Sequence, residues 1–146
     1  MFCMAAQSLG YKVVVLDPAA DSPAGSVADR HIAADYLDAD GLADLAALAA
    51  AATTEFENVP AAALEYLART ARVTPAAASV AIAQDRISEK MFLGGHGFPV
   101  APFAILRDDA DVAANAAKFL PGIVKSARFG YDGKGQSRVR TEADVR

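Results

Sequence analysis

The feature that most constrains the fold is a run of apolar residues near the start of the chain. Residues 12–17 have the sequence KVVVLD, in which four consecutive apolar, β-favouring residues stand together. Such a run is typical of a strand that is buried on both faces, as in a parallel sheet covered by helices. It ends at Asp17-Pro18, a pair that marks the change from strand to loop. The run therefore predicts an α/β protein.

The next elements alternate between strand and helix. Residues 1–9 are predicted to end a helix at Gly10, because glycine adopts the left-handed conformation of a helix end without strain. Strands are predicted at 31–34 and 53–56, and helices at 40–52, with Asp40 as the N-cap, and at 61–69 after Pro60. This rhythm predicts an open, Rossmann-like sheet.

A different pattern begins after Pro75. We expect a helix over 79–94, a strand over 100–106 and a helix over 108–119. Strands at 122–125 and 136–140 flank a glycine-rich stretch at 129–135, which predicts a hairpin flap. The chain is therefore divided into two parts, residues 1–75 and 76–146.

Composition narrows the class of protein. The chain has 146 residues, 53% of them hydrophobic, which is enough for a buried core. No apolar run approaches the roughly 20 residues of a membrane helix, and no secretory leader is evident, so no membrane partner is expected. The single cysteine forms no internal disulfide, which fits the cytoplasm.

Charge is distributed unevenly along the chain. Residues 1–60 contain nine acidic and two basic residues, whereas residues 61–146 contain nine acidic and twelve basic residues. The basic residues cluster at 125–140, and a cluster of this kind suits an anionic ligand. It is short and the whole chain is acidic, which argues against nucleic acid as a partner.

The segment KSARFGYDGKGQ, residues 125–136, is the most informative one for function. Backbone N–H groups at Gly130, Gly133 and Gly135 can surround phosphate oxygens, and Lys125 at the end of a strand can bind phosphate as a point charge. The Walker A pattern GxxxxGK[ST] is absent. A surface hairpin whose glycines serve only turn geometry remains an equal alternative on these residues alone.

Two further segments carry closely spaced charges. QDRISEK, residues 84–90, contains like charges four residues apart, which weaken a helix slightly, but the residues alone favour a solvated helix face as the explanation. In TEFENVP, residues 54–60, Glu55 and Glu57 would share one face of a strand and point into a ligand crevice. An ordinary exposed strand end is the alternative, and the residues alone favour it. No Ser/His/Asp set, HExxH or CxxC pattern is present.

Taken together, VVVLDPAADSPAGSVAD, TTEFENVP, AIAQDRISEK and KSARFGYDGKGQ, in this order, resemble the 5-(carboxyamino)imidazole ribonucleotide synthase family of ATP-grasp ligases. The resemblance covers essentially the whole chain. It implies an α/β fold, a Rossmann-like pre-ATP-grasp domain followed by the start of an ATP-grasp domain with its flap hairpin. It also implies ATP-dependent carboxylation of 5-aminoimidazole ribonucleotide by bicarbonate, in purine biosynthesis, with carboxyphosphate as the intermediate.

The resemblance extends to individual positions. Tyr131 and Asp132 are implied as catalytic residues that also face the aminoimidazole substrate, and Glu55 as a carboxylate of the substrate pocket. The implied ATP contacts are Arg86, Lys125, Gly130, Tyr131, Asp132, Gly133, Lys134, Gly135 and Gln136.

The chain also departs from the family pattern. The family's glycine-rich turn would precede Met1, and its Mg²⁺-binding carboxylates would follow Arg146, so that no metal ligand is expected here. Phe129 stands where many relatives have glycine. We therefore expect a piece of a longer enzyme, inactive by itself, whose parent is a cytoplasmic homodimer.

Three alternatives remain. The first is another ATP-grasp ligase, such as a biotin-dependent carboxylase subunit or a phosphoribosylglycinamide enzyme, which EFENVP disfavours. The second is a nucleotide-binding module without catalysis. The third is a nicotinamide dehydrogenase, which the absence of GxGxxG before VVVLDP makes the weakest.

Overall fold

The computed structural model describes residues 1–130 and 133–145. The chain divides into two compact units, Met1–Ala81 and Ile82–Arg146. No helix in the described ranges is long and apolar enough to cross a bilayer.

The first unit alternates helices with short parallel strands. β1 (Val14–Leu16) pairs in parallel with β2 (Arg30–Ile32), and β3 (Ala51–Ala52) pairs in parallel with β4 (Arg72–Val73). The predicted α/β character and the parallel pairing of the first strand are confirmed. The helices are α1 (Phe2–Ser8), α2 (Ala39–Leu48), α3 (Ala61–Leu67) and α4 (Ala77–Ala83), the last of which runs past the boundary between the units.

A glycine helix end and the hydrogen bonds of one aspartate fix the start of this unit. α1 ends as predicted, with Gly10 at φ +86° just after its C-cap Leu9. Before β1, the Asp29 carboxylate accepts from the Val13 backbone N–H (3.0 Å) and pairs with Lys12 (2.8 Å). The Lys12 hydrogen bond, together with those from Val13 and Gln7, holds the pKa of Asp29 well below its usual range.

The core of the first unit lies between α2 and α3. Leu42, Ala63 and Leu67 are buried there, at most 5% exposed. Burying such apolar surface is the main stabilising contribution to the unit. Partly buried neighbours surround this cluster: Leu16, Leu45, Ala46, Ala52, Val59, Tyr66 and Val73.

The second unit contains α5 (Arg86–Gly95), α6 (Asp109–Phe119), a hairpin of β5 (Gly122–Lys125) and β6 (Gln136–Val139), and a 3-10 helix (Glu142–Val145). α6 packs against the 3-10 helix that follows β6, with Val112, Ala116 and Val139 buried. β5 pairs antiparallel with β6, from Gly122 opposite Val139 to Lys125 opposite Gln136, which confirms the predicted hairpin.

Several local predictions for the first unit were wrong. The N-cap of α2 is Asp38, which accepts from Gly41 N at 2.7 Å, and Asp40 lies in the first turn. The strand predicted at 53–56 is instead β3 at Ala51–Ala52, because the TEFENVP segment forms turns. β1 is only partly buried, and β4 was not predicted.

Two predictions for the following region also failed. The helix expected over 79–94 is broken at 84–85, where Asp85 caps a new helix. Residues 100–106 form no strand, because they have no ladder partner in the described residues. Apolar β-favouring runs become strands only where a neighbouring strand is available.

Candidate functional site

The glycine-rich loop, residues 126–135, connects the two strands of the hairpin. Lys125, the last residue of β5, stands opposite Gln136, the first residue of β6. Beyond them the Ser126 N–H donates to the Gly135 carbonyl at 2.7 Å, which closes the base of the loop. The hairpin thus places a lysine, a hydroxyl and an amide at the loop entrance.

Two glycines of this loop are required by its shape. Gly133 and Gly135 have φ of +81° and +66°, a conformation that side chains with a Cβ rarely adopt. A Cβ at Gly135 would overlap Ser126 Oγ, and one at Gly130 would lie 3.0 Å from the same atom. The Ser126 hydroxyl therefore occupies the space that a Cβ at Gly135 would need, and a Cβ at Gly130 would crowd it.

The N-terminus of α5 forms the other side of the site. Asp85 Oδ1 accepts from the N–H groups of Ile87 (3.0 Å) and Ser88 (2.9 Å), which caps the helix so that it begins at Arg86. The Arg86 N–H donates to the Ala127 carbonyl at 2.8 Å. These bonds place the Arg86 side chain beside the glycine-rich loop.

A partly open cavity of about 200 Å³ lies between these parts. Three of its lining side chains are cations and none of the described ones is a carboxylate, so the cavity suits an anion. Backbone N–H groups of the glycines add further donors. The described lining residues are Arg86, Lys125, Ser126, Gly130, Gly133, Lys134, Gly135 and Gln136.

One N–H donor of the Arg86 guanidinium has no acceptor among the described residues. Among the described residues, Arg86 Nε is buried and has no hydrogen-bond partner. A buried donor without an acceptor costs about 1–3 kcal/mol, so such atoms are uncommon outside functional sites. This unmet donor belongs to a residue that lines the cavity.

Seven of the predicted ATP-contacting residues are described, and the structure brings all seven to this cavity. Tyr131 and Asp132 lie outside the described residues. Ser126 lines the cavity too and was not predicted. Its position directly after Lys125, at the start of a glycine-rich stretch, was the available signal, because a hydroxyl there can donate to phosphate.

Glu55 lies in the first unit, in the turn after β3. Its carboxylate accepts from the Phe2 N–H at 3.3 Å and lies 3.8 Å from the N-terminal amino group, with its side chain 54% exposed. The expectation that Glu55 and Glu57 share a strand face is wrong, because this segment is not a strand. Glu55 is held instead beside the start of α1.

Phe129 adopts a conformation that is rare for its residue type. Its φ is +59°, in the left-handed region, and its side chain is 73% exposed. A glycine at this place would meet no strain. Within residues 1–130 and 133–145, no group of three His, Cys, Asp or Glu side chains is arranged to hold a metal ion.

Comparison with protein families agrees with this two-part structure. The model of the ribonucleotide synthetase preATP-grasp domain matches residues 1–84, and that of the ATP-grasp domain matches residues 91–146.

Two curated relatives of high similarity carry the same name. N5-carboxyaminoimidazole ribonucleotide synthase of Brucella melitensis is 46% identical over 140 residues, which cover 95% of this chain and 39% of the relative. The enzyme of the same name from Bacillus subtilis is 37% identical over 146 residues, 99% of this chain and 38% of the relative. The chain thus spans about two fifths of the length of these relatives.

Solved structures show the same similarity. N5-carboxyaminoimidazole synthetase from Staphylococcus aureus complexed with ADP matches with a TM-score of 0.90 and 36% identity, over 99% of this chain and 39% of that one. The Aspergillus clavatus synthase in complex with ADP and 5-aminoimidazole ribonucleotide matches with a TM-score of 0.82 and 26% identity, over 97% and 38%. The resemblance inferred from the sequence is confirmed. The chain belongs to the ribonucleotide synthetase preATP-grasp family, and its residues 91–146 match the model of the ATP-grasp domain.

Proposed function

We propose that the protein containing this chain carboxylates 5-aminoimidazole ribonucleotide with bicarbonate, cleaving ATP to ADP and phosphate, in purine biosynthesis. The observation that carries the proposal is the cavity that Arg86, Lys125 and Lys134 line together with glycines of the glycine-rich loop. The names of the similar proteins support the reaction, and a relative that holds ADP and 5-aminoimidazole ribonucleotide supports the ligands.

The described residues supply positioning and charge. ATP and bicarbonate are anions, and the reaction develops charge on a transferring phosphoryl group, which fixed cations and N–H dipoles stabilise. Lys125 and Arg86 would bind phosphate oxygens, with the backbone of Gly133 and Gly135 and the Gln136 amide beside them. The hairpin would cover the phosphates and exclude water from a carboxyphosphate intermediate.

Three residues are proposed for the second substrate. Tyr131 and Asp132 would face the aminoimidazole ring, where an aromatic ring and a carboxylate suit a flat heterocycle with an amino group. Glu55 would contribute a carboxylate from the first unit. For these three residues the proposal rests on the resemblance of GYDGKGQ and EFEN to the family.

Magnesium is proposed for the whole protein as the usual companion of ATP. The described lining of the cavity offers no carboxylate oxygen, so these residues do not form a Mg²⁺ site. A homodimer and a cytoplasmic location are likewise proposed for the whole protein.

The first test uses the complete gene product that contains this sequence. Lys125→Ala removes a charge-assisted phosphate contact of about 1.5–3 kcal/mol, so we expect a loss of roughly 10-fold to 100-fold in ATP affinity, measured by calorimetry. Lys118→Ala is the matched control, since Lys118 lies in the last turn of α6 and not in the cavity. Equal affinities in the two variants would contradict the assignment of the site.

The reaction itself is tested by ADP formation. We expect ADP release that requires both bicarbonate and 5-aminoimidazole ribonucleotide. ATP binding without such turnover would favour a nucleotide-binding module. Turnover with a different amine or carboxylate acceptor would favour another ATP-grasp ligase.

A further inference from the structure

Two contacts connect the N-terminus of α5 to the start of the glycine-rich loop. The Arg86 N–H donates to the Ala127 carbonyl at 2.8 Å, and Arg128 Nη1 lies 3.6 Å from Asp85 Oδ2. Adjacent residues of the helix terminus thus hold adjacent residues of the loop.

The two carboxylate oxygens of Asp85 have separate partners. Oδ1 accepts the capping bonds from Ile87 and Ser88, which leaves Oδ2 to face Arg128. The bond from the Ser88 N–H, with smaller contributions from Ile87 and Arg128, lowers the pKa of Asp85. The carboxylate is therefore ionised at neutral pH and pairs with the guanidinium.

The loop next to this pair needs external support. Phe129, which follows Arg128, has φ +59°, and such conformations persist only where the surrounding structure imposes them. The Phe129 side chain is 73% exposed, so its own packing does not impose it. The described contacts that remain on this side of the loop are those of Ser126, Ala127 and Arg128.

We propose that Asp85 and Arg128 form a latch that holds the glycine-rich loop against the N-terminus of α5, which makes Asp85 a positioning residue for the cavity. The inference rests on the proposed function, because a held loop matters only if the cavity binds phosphate. The latch would keep this phosphate site in its binding geometry before the nucleotide arrives. The latch connects the helix that carries Arg86 to the strand end that carries Lys125. Preformed sites bind more tightly because less ordering remains to be done on binding.

The test is a double-mutant cycle in the complete protein. Asp85→Asn keeps a good N-cap and removes the charge, Arg128→Gln removes the guanidinium, and the third variant combines both. Arg107→Gln is the control, because Arg107 pairs with Asp111 on the same unit without touching the cavity. Arg128→Lys keeps the positive charge and should preserve most of the effect.

Two measurements are made on each variant. Without nucleotide, hydrogen–deuterium exchange of the amides at 126–130 and 133–135 should be about threefold to fivefold faster in each single variant, the size expected for a partly exposed ion pair. With substrates, the KM for ATP should rise by a similar factor while kcat changes less than about twofold, because the latch acts on binding rather than on the reacting atoms. The double variant should be no worse than either single one.

The outcomes separate this proposal from the proposed function. Wild-type exchange rates in Arg128→Gln, or additive losses in the double variant, would show that no latch exists. A fall in kcat with unchanged KM would also overturn a positioning role. If the wild-type protein binds no ATP, the proposed function fails, and the nucleotide-free exchange still decides whether the latch is present.

Discussion

The Ser126 side chain packs against the Gly135 backbone, and it can do so because Gly135 has no Cβ. Gly135 has φ +66°, and the space that a Cβ would fill there is taken by Ser126 Oγ. The Ser126 N–H also donates to the Gly135 carbonyl, so the two residues fix the base of the glycine-rich loop. A change at either residue therefore alters the geometry of the cavity.

Gly135→Ala is expected to weaken nucleotide binding and to loosen the hairpin. The left-handed conformation costs a residue with a Cβ about 1–2 kcal/mol, and the displaced Ser126 hydroxyl adds to this. Hydrogen exchange of β5 and β6 and calorimetric ATP affinity measure the two effects. Gly95→Ala is the control: nothing lies within 4 Å of its added Cβ, and alanine should improve the helix. Equal behaviour of the two variants would contradict this account.

At the scale of elements, the start of a helix has a local signal in the sequence. Asp108 begins α6 near the predicted boundary, since a carboxylate that accepts a free helical N–H is a local signal. At α2 the same signal was assigned two residues too late, because Asp38 and Asp40 both precede the apolar pattern. Only Asp38 has the extended backbone, ψ 124°, that a cap requires.

Asp38→Ala should destabilise α2 by about 1 kcal/mol, because Gly41 N loses its acceptor. Asp40→Ala should cost less, since it removes only the favourable interaction of a first-turn carboxylate with the helix dipole. Native-state hydrogen exchange of the α2 amides measures both. A larger loss of stability for Asp40→Ala than for Asp38→Ala would indicate that Asp40 is the N-cap, as the sequence predicted.

At the scale of the whole molecule, the stability of the first unit depends on the buried cluster of Leu42, Ala63 and Leu67. Leu67 is 4% exposed against Leu42 and Ala63, whereas Leu48 on α2 is 50% exposed. Leu67→Ala should cost about 2–5 kcal/mol through lost burial and the cavity left behind. Leu48→Ala should cost less than about 1 kcal/mol. The measurements are urea unfolding of the complete protein and hydrogen exchange of the α3 amides. Equal losses of stability in the two variants would contradict this assignment of the core.

Acid stability follows from three aspartates whose pKa values are lowered. In each case the main cause of the lowered pKa is a hydrogen bond. Asp29 accepts it from Lys12, Asp85 from the Ser88 N–H, and Asp144 from the Arg140 N–H. A carboxyl with a lowered pKa in the folded state stabilises the protein above its unfolded pKa, and this contribution is lost as the pH falls through the folded value.

Stability should therefore be flat from neutral pH down to about 5 and should fall progressively below about 4, near the ordinary aspartate pKa. The measurement is the urea midpoint as a function of pH. Asp29→Asn should lower the midpoint at pH 7 and flatten its decline below pH 4. A midpoint that stays constant down to pH 3 would contradict the assignment.

The sequence by itself determined the features that depend on neighbours along the chain. The run at 12–17 predicted a parallel strand, Gly10 ended α1, and the glycines between two β-favouring runs predicted the hairpin, all of which depend on local backbone preference. The motifs QDR and KSARFGYDGKGQ also named seven residues that line one cavity.

Tertiary structure decided what depends on contacts distant in sequence. Residues 100–106 have the composition of a strand, yet the described chain offers them no pairing partner. The pairing of Asp85 with Arg128 and the packing of Ser126 against Gly135 join residues whose spatial relation no local preference encodes. A strand needs a ladder and a site needs converging side chains, and only the folded chain supplies either.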